Sequence, residues 1–362
     1  MQRREFLLGA AAASGSAGVA LPQGGQTLRE VAAARNICFG SEVTLADLDR
    51  IAGYGDLIAR ECAIITPGLE AKWAAVEPQD GVFRFAAMDR LAAFAAAHGL
   101  KLHMHNLVWS VALPRWVVPA IADGRGADIM ARHIAALVDR YQAQVESWDV
   151  VNEPADPRWP SGPEGLCTTP WRRALGADYV RRALAEAHDG NPRARLLIND
   201  DDLEYDAPDR QKKRDIYVRL LTALRRQDVT LNGFGLEAHL KPWLPIADAP
   251  YRRFLRDLAG LDLAIYVTEL DVCDRTLPAE IGARDAAVAA MAKRYLDLVL
   301  DETAVTTVIT WGLCDSTTWM LRDRAGQRDD GLAPRPLPYD NALQAKPMRE
   351  ALLAAFRHAP AR

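Results

Sequence analysis

The chain has 362 residues, 44 of them Lys or Arg and 48 Asp or Glu, for a formal net charge of −4. Hydrophobic residues make up 49% and charged residues 25%. These are globular proportions, which exclude a disordered chain, a fibrous repeat and a nucleic-acid binder that works by bulk positive charge.

Residues 1–20 read as an address. Arg3 and Arg4 precede an apolar run of Leu, Ala and Gly that ends in small residues, the pattern of a secretory signal. The paired arginines before Glu5-Phe6-Leu7 resemble a bacterial twin-arginine signal, which exports proteins already folded, to the periplasm or beyond. Cleavage is expected near Ala20, and no Cys lies there to suggest a lipid anchor. Past this segment, no apolar stretch reaches the roughly 18 residues that a transmembrane helix needs.

After residue 30, short apolar runs alternate with amphipathic stretches. The strand-like runs are 37–40, 63–66, 101–107, 147–151, 195–199, 233–237, 264–268 and 306–311. Several are apolar on both faces, as expected for parallel strands covered by helices. Between them lie helical patterns such as Ile129, Met130, His133, Ile134, Leu137, Val138 and Tyr141, and Ile216, Tyr217, Leu220, Leu221 and Leu224. Gly99 and the run Gly190-Asn191-Pro192 stop two of these helices. Eight strands alternating with helices predict a (β/α)8 TIM barrel, with no linker or repeat to divide residues 28–357. The rival, a doubly wound open sheet, would usually place a Gly-rich phosphate turn after its first strand. Here that place reads Cys-Phe-Gly-Ser-Glu-Val.

Five cysteines (38, 62, 167, 273 and 314) are scattered, with no C-x-x-C and no His at metal-ligand spacing, so no metal site is expected. Cys273 and Cys314 each follow a predicted strand. They either pair, if those strands are neighbours, or stay as buried free thiols.

Active sites of such barrels lie where strands end and loops begin. The fourth run continues into Asn152-Glu153, and the seventh into Glu269-Leu270-Asp271. Each strand therefore delivers a Glu at its C-terminal end. Two such carboxylates facing one cavity can divide the acid and nucleophile roles of glycoside hydrolysis.

The flanking residues carry a specific resemblance. Trp-Asp-Val-Val-Asn-Glu at 148–153 and Val-Thr-Glu-Leu-Asp at 267–271 resemble the acid/base and nucleophile motifs of glycoside hydrolase family 10, the endo-β-1,4-xylanases. His105-Asn106-Leu107-Val108-Trp109, Lys72-Trp73 with Glu77-Pro78, Asn199-Asp200 with Leu203-Glu204, Glu237-Ala238-His239, and Trp311-Gly312 with Asp315 and Trp319 are similar to further motifs of that family, in the same order. The resemblance implies a retaining double displacement on xylan or xylo-oligosaccharides, with Glu153 as acid/base and Glu269 as nucleophile. It implies that Asn152 contacts the sugar 2-hydroxyl and that His239 bridges Glu269 and Asp271. Trp311 and Trp319 would line the subsite of the cleaved sugar. Lys72, His105 and Trp109 would bind hydroxyls on the non-reducing side, and Glu237 takes a substrate-binding position. No cofactor is implied, no nucleic-acid or membrane signature is present, and oligomeric state is not encoded legibly.

Three positions depart from the family pattern. Leu69 stands where an Asn is usual, Ser110 where a second His is usual, and Glu237 where a Gln is usual. These bear on sugar preference more than on reaction type. Two other readings are a family relative with a different β-glycan preference and a sugar-binding barrel without useful turnover. The intact Glu153, Glu269, His239 and Asp271 set argues against the latter.

Overall fold

A computed structural model describes residues 25–155, 161–162 and 164–362. The expected export signal over residues 1–20 lies outside the described residues. The strands are β1 (Cys38–Val43), β2 (Ile64–Pro67), β3 (Lys101–Val108), β4 (Val145–Asn152), β5 (Arg195–Asp200), β6 (Gly233–Leu236), β7 (His239–Leu240), β8 (Ala264–Val272) and β9 (Val305–Thr310). Each pairs in parallel with the next around a ring in which β6 pairs β8 and β9 returns to β1. Eight strands thus close the barrel, and β7 is a two-residue addition beside the far end of β8.

Helices cover the outside because their apolar stripes need a partner. The helix Gly126–Tyr141 buries the whole predicted stripe from Ile129 to Tyr141. The helix Pro208–Arg226 buries Ile216, Tyr217, Leu221 and Leu224, while Leu220 at the rim is only partly covered. At about 1.5–3 kcal/mol for each fully buried large aliphatic or aromatic side chain, these stripes supply the main force for closure. Gly99 (φ +63°) ends the helix Ala86–Ala97 in the left-handed region that a side chain resists. No helix among the described residues is long and apolar enough to cross a membrane.

Most strand ends shift by one to three residues from the sequence expectation, β1 running on to Val43, and two further differences shape the site. The sixth strand stops at Leu236. Ala238 takes a positive φ of +62°, which breaks the ladder, and pairing resumes at His239. The seventh predicted strand runs four residues further, to Val272, because β7 gives its end a partner: His239 faces Asp271 and Leu240 faces Val272. All five cysteines are free. β8 and β9 are neighbours, but Cys273 Sγ turns toward the Gly326 carbonyl (3.9 Å) and Cys314 Sγ toward Ser316 Oγ (3.5 Å). The paired alternative for Cys273 and Cys314 is therefore set aside.

Candidate active site

The C-terminal ends of the strands surround a cavity of about 360 Å³. Lys72, His105, Trp109, Asn152, Glu153, Glu237, His239, Glu269, Trp311 and Trp319 all border it. Asp271, the remaining candidate, is fully buried directly behind. Residues from β2 to the loop after β9, up to 247 positions apart in sequence, are thus gathered in one place.

Glu153 sits just past β4 with φ +49°, a left-handed conformation that costs a non-glycine residue on the order of 1 kcal/mol. The turn is held by Glu153 N–H donating to the Asn199 carbonyl at 2.9 Å. It directs a side chain into the cavity that a continuing strand would send elsewhere. Asn152 Nδ2 lies 3.5 Å from Glu153 Oε1.

Glu269 is 4% exposed. Burial opposes its ionised form, yet His105, His239 and Lys72 outweigh burial and hold its carboxyl below the usual range. His239 Nε2 lies 3.3 Å from Glu269 Oε2, and its Nδ1 lies 3.0 Å from Asp271 Oδ1. Asp271 Oδ2 accepts from Trp319 Nε1 at 2.7 Å. Burial alone would make His239 less basic. The two flanking carboxylates reverse that and keep it protonated well above its ordinary value. The chain Trp319–Asp271–His239–Glu269 therefore fixes the carboxylate in position and in charge.

Glu237, 4% exposed, is a further carboxyl group of the cavity. Burial and the charges of Glu269, Glu153, Asp201 and Asp200 push its proton affinity well up. The shift favours its protonated form, which has the donor and acceptor that an amide in this place would offer. Glu237, His239 and Glu269 bring one ligand atom each within 4.8 Å of one another. The raised proton affinities of His239 and Glu237 work against the deprotonated forms that metal ligation needs.

Two contributors carry no sequence-assigned role. Asn199, at the end of β5, points its Nδ2 at Asn152 Oδ1 (2.8 Å), Glu237 Oε1 (3.1 Å) and Glu269 Oε1 (3.1 Å). Its Oδ1 accepts from Thr268 Oγ1 at 2.7 Å. Gly235 leaves it room, since a Cβ there would come within 2.1 Å of Asn199 Oδ1. Asp149, inside the barrel, holds His103 and His105, each at 3.0 Å. Burial works against its charge, but the two imidazoles pull its pKa down to about 2. A charged residue inside an apolar strand was the available signal for Asp149.

His105, expected as a sugar ligand, lies on the cavity wall and also contacts the carboxylates around it. Its Nδ1 faces Asp149 (3.0 Å) and Glu269 (3.7 Å), and Nε2 faces Asn106 Nδ2 (3.1 Å). Its electrostatic work is on Glu269. The Lys72 ammonium lies 4.7 Å from the Trp109 ring centre, so these two expected sugar ligands stand side by side. Trp73 next to it is buried, stacks on His133 at 3.8 Å and donates to Glu77 at 3.0 Å, which anchors the loop that presents Lys72. Asp201, Lys241 and Trp243 complete the wall on the β5–β7 side.

Comparison with known proteins agrees with this geometry. The model of glycosyl hydrolase family 10 matches residues 27–355. The endo-1,4-beta-xylanase B of Paenibacillus barcinonensis is 31% identical over 307 residues, covering 81% of this chain and 88% of that protein. The endo-1,4-beta-xylanase C of Phanerodontia chrysosporium is 31% identical over 298 residues, covering 81% and 69%. Among solved structures, native xylanase 10B from Thermotoga maritima superposes with a TM-score of 0.79 at 25% identity, covering 91% of this chain and 98% of that one.

Proposed function

This chain belongs to glycosyl hydrolase family 10, and we infer that it is a retaining endo-1,4-β-xylanase acting on xylan and xylo-oligosaccharides. The observation that carries the reading is Glu153 and Glu269 at the ends of β4 and β8, bordering one cavity with different surroundings. Glu269 is held ionised by His239, His105 and Lys72, and attacks the anomeric carbon. Glu153 gives its proton to the departing glycosidic oxygen. In the glycosyl-enzyme Glu269 has become an ester and its charge is gone. Glu153, now ionised, takes a proton from water, which attacks the same carbon and frees Glu269. The two inversions leave the β configuration. Asn152 and the indoles of Trp311 and Trp319 hold the reacting sugar.

Proton NMR on fresh xylan digests tests this. β-Xylose ends should appear first and mutarotate afterwards. First formation of the α-anomer, or hydrolysis of another β-glycan with xylan untouched, would overturn it.

Glu237 tunes the acid. As pH rises, a charge on Glu237 raises the proton affinity of Glu153 and delays loss of the general acid. Glu237→Gln removes that charge. The alkaline limb of kcat/KM should therefore move to lower pH, while acid-side activity stays within a few fold. A limb that moves upward would mean that the proton on Glu237 is itself required.

Residues 1–20 further suggest export in the folded state. The support is the Arg3-Arg4 pair ahead of an apolar run and small residues near Ala20. Replacing both arginines by lysine should retain the protein inside a bacterial host with a twin-arginine pathway. Undiminished export of that variant would dismiss the proposal.

A further inference from the structure

Outside the cavity that holds the catalytic pair, on its Lys72 side, stands a buried acid that the mechanism does not use. Glu42 lies near the end of β1, opposite Thr66 of β2. It is 6% exposed. Its side chain lies flat over Gly68, just past β2. A Cβ on Gly68 would come within 1.8 Å of Glu42 Oε1 and 2.7 Å of its Cδ. Gly68 has no positive φ, so what glycine supplies here is space. The carboxyl of Glu42 occupies that space.

No hydrogen bond or ion pair to the Glu42 carboxyl is found among the described residues. Nearby charges act on it at longer range: Asp47, Glu70 and Glu269 from one sign, Lys72 from the other. Glu70, by contrast, accepts from the backbone N–H of Leu45 (2.8 Å) and Leu69 (3.3 Å). The Lys72 ammonium likewise has no carboxylate partner among the described residues and rests on Trp109. The Glu42 carboxyl is nearly buried but not sealed, so a hydroxyl from outside can reach it and complete its hydrogen bonding. Leu69, half exposed between Gly68 and Glu70, cannot form a hydrogen bond from its side chain.

We propose that Glu42 is a specificity-determining residue of this enzyme, binding a hydroxyl of the xylose unit next but one to the cleaved bond on the non-reducing side, together with Lys72 and in place of the polar side chain that Leu69 lacks. Burial, with Asp47 and Glu70, raises the Glu42 carboxyl to about 8. Near neutrality it is therefore a neutral acid with one donor and one acceptor, which suits a sugar hydroxyl that also donates and accepts. Recruiting the group from β1 explains why position 68 is glycine: any side chain would push the carboxyl away.

The inference rests on the xylanase reading, and the test separates the two. Wild-type hydrolysis of 4-nitrophenyl xylobioside checks that reading first. Glu42→Leu should then lower kcat/KM on the xylobioside at least tenfold, because the second sugar's hydroxyl loses its partner. On 4-nitrophenyl xyloside, which has no second sugar, the loss should stay within threefold. Glu42→Gln keeps a donor and an acceptor and should stay within fivefold on both. Gly68→Ala, which leaves Glu42 in the chain but displaces its carboxyl, should repeat the selective loss and decides the matter if Glu42→Leu does not fold. An unchanged ratio between the two substrates in Gly68→Ala and Glu42→Leu, or equal losses on both, overturns the proposal.

Discussion

Glu153→Ala is expected to release a burst of phenol from an aryl xylobioside with an acidic leaving group, and then to stall. Glu269 can attack without acid help when the leaving group departs unprotonated, so the glycosyl-enzyme still forms. No base remains to activate water, so it persists. Azide needs no base. It should restore turnover and give the β-glycosyl azide after two inversions. Glu269→Ala should show no burst and lose on the order of 10⁵-fold or more in kcat, the scale seen when a covalent nucleophile is removed. Azide there enters the vacated space directly and gives the α-glycosyl azide. The structure adds a reason for this division of roles: His239, His105 and Lys72 converge on Glu269 and keep it ionised, whereas Glu153 neighbours Asn152. A β-azide from Glu269→Ala with an α-azide from Glu153→Ala would reverse the assignment. Full activity in either alanine variant would remove that residue from the reaction.

The barrel was legible because parallel strands covered on both faces must be short and apolar on both sides, and helices between them must show one stripe. Glu153 and Glu269 were legible because each stands where an apolar run ends at the mouth of the barrel, within a motif that resembles the family's. The His239–Asp271 contact was legible only through the family resemblance. Period-two spacing puts Glu269 and Asp271 on one side of an extended strand. Nothing local, however, shows that Ala238 turns left-handed and brings His239 opposite Asp271. Glu42 was invisible for a related reason. Its place depends on a glycine 26 residues away, and an acid near the end of a strand looks like any solvated loop residue. The cysteines carry the same lesson in reverse. Cys273 and Cys314 do follow neighbouring strands, but direction, which periodicity does not give beyond the strand end, keeps them apart.

Asn199 was legible as part of a family motif, but the sequence gives it no role. It ends an apolar strand, where an Asn commonly just accepts or donates to a loop. Its partners lie 47, 38 and 70 positions away, so only closure of the barrel collects them. The amide has two N–H bonds and faces three acceptors, and the Glu269 carboxylate, which can only accept, fixes which end is the amide nitrogen. It therefore places positive dipole where Glu237, Glu269 and Asn152 meet. Asn199→Ala should lower kcat on xylan about 10- to 150-fold, corresponding to about 1.5–3 kcal/mol for hydrogen bonds to a charged group, with a smaller change in KM. Asn199→Asp keeps the shape and adds a negative charge. That charge disfavours ionised Glu269, so more alkali is needed to make the nucleophile, and the acid limb of the pH–rate profile should move to higher pH. In Asn199→Ala the donor to Glu269 is lost without a new charge, so the acid limb should move the same way by less. A stable Asn199→Ala variant with wild-type kcat and an unmoved acid limb would show that His239 and His105 suffice to hold the nucleophile, and that Asn199 serves packing alone.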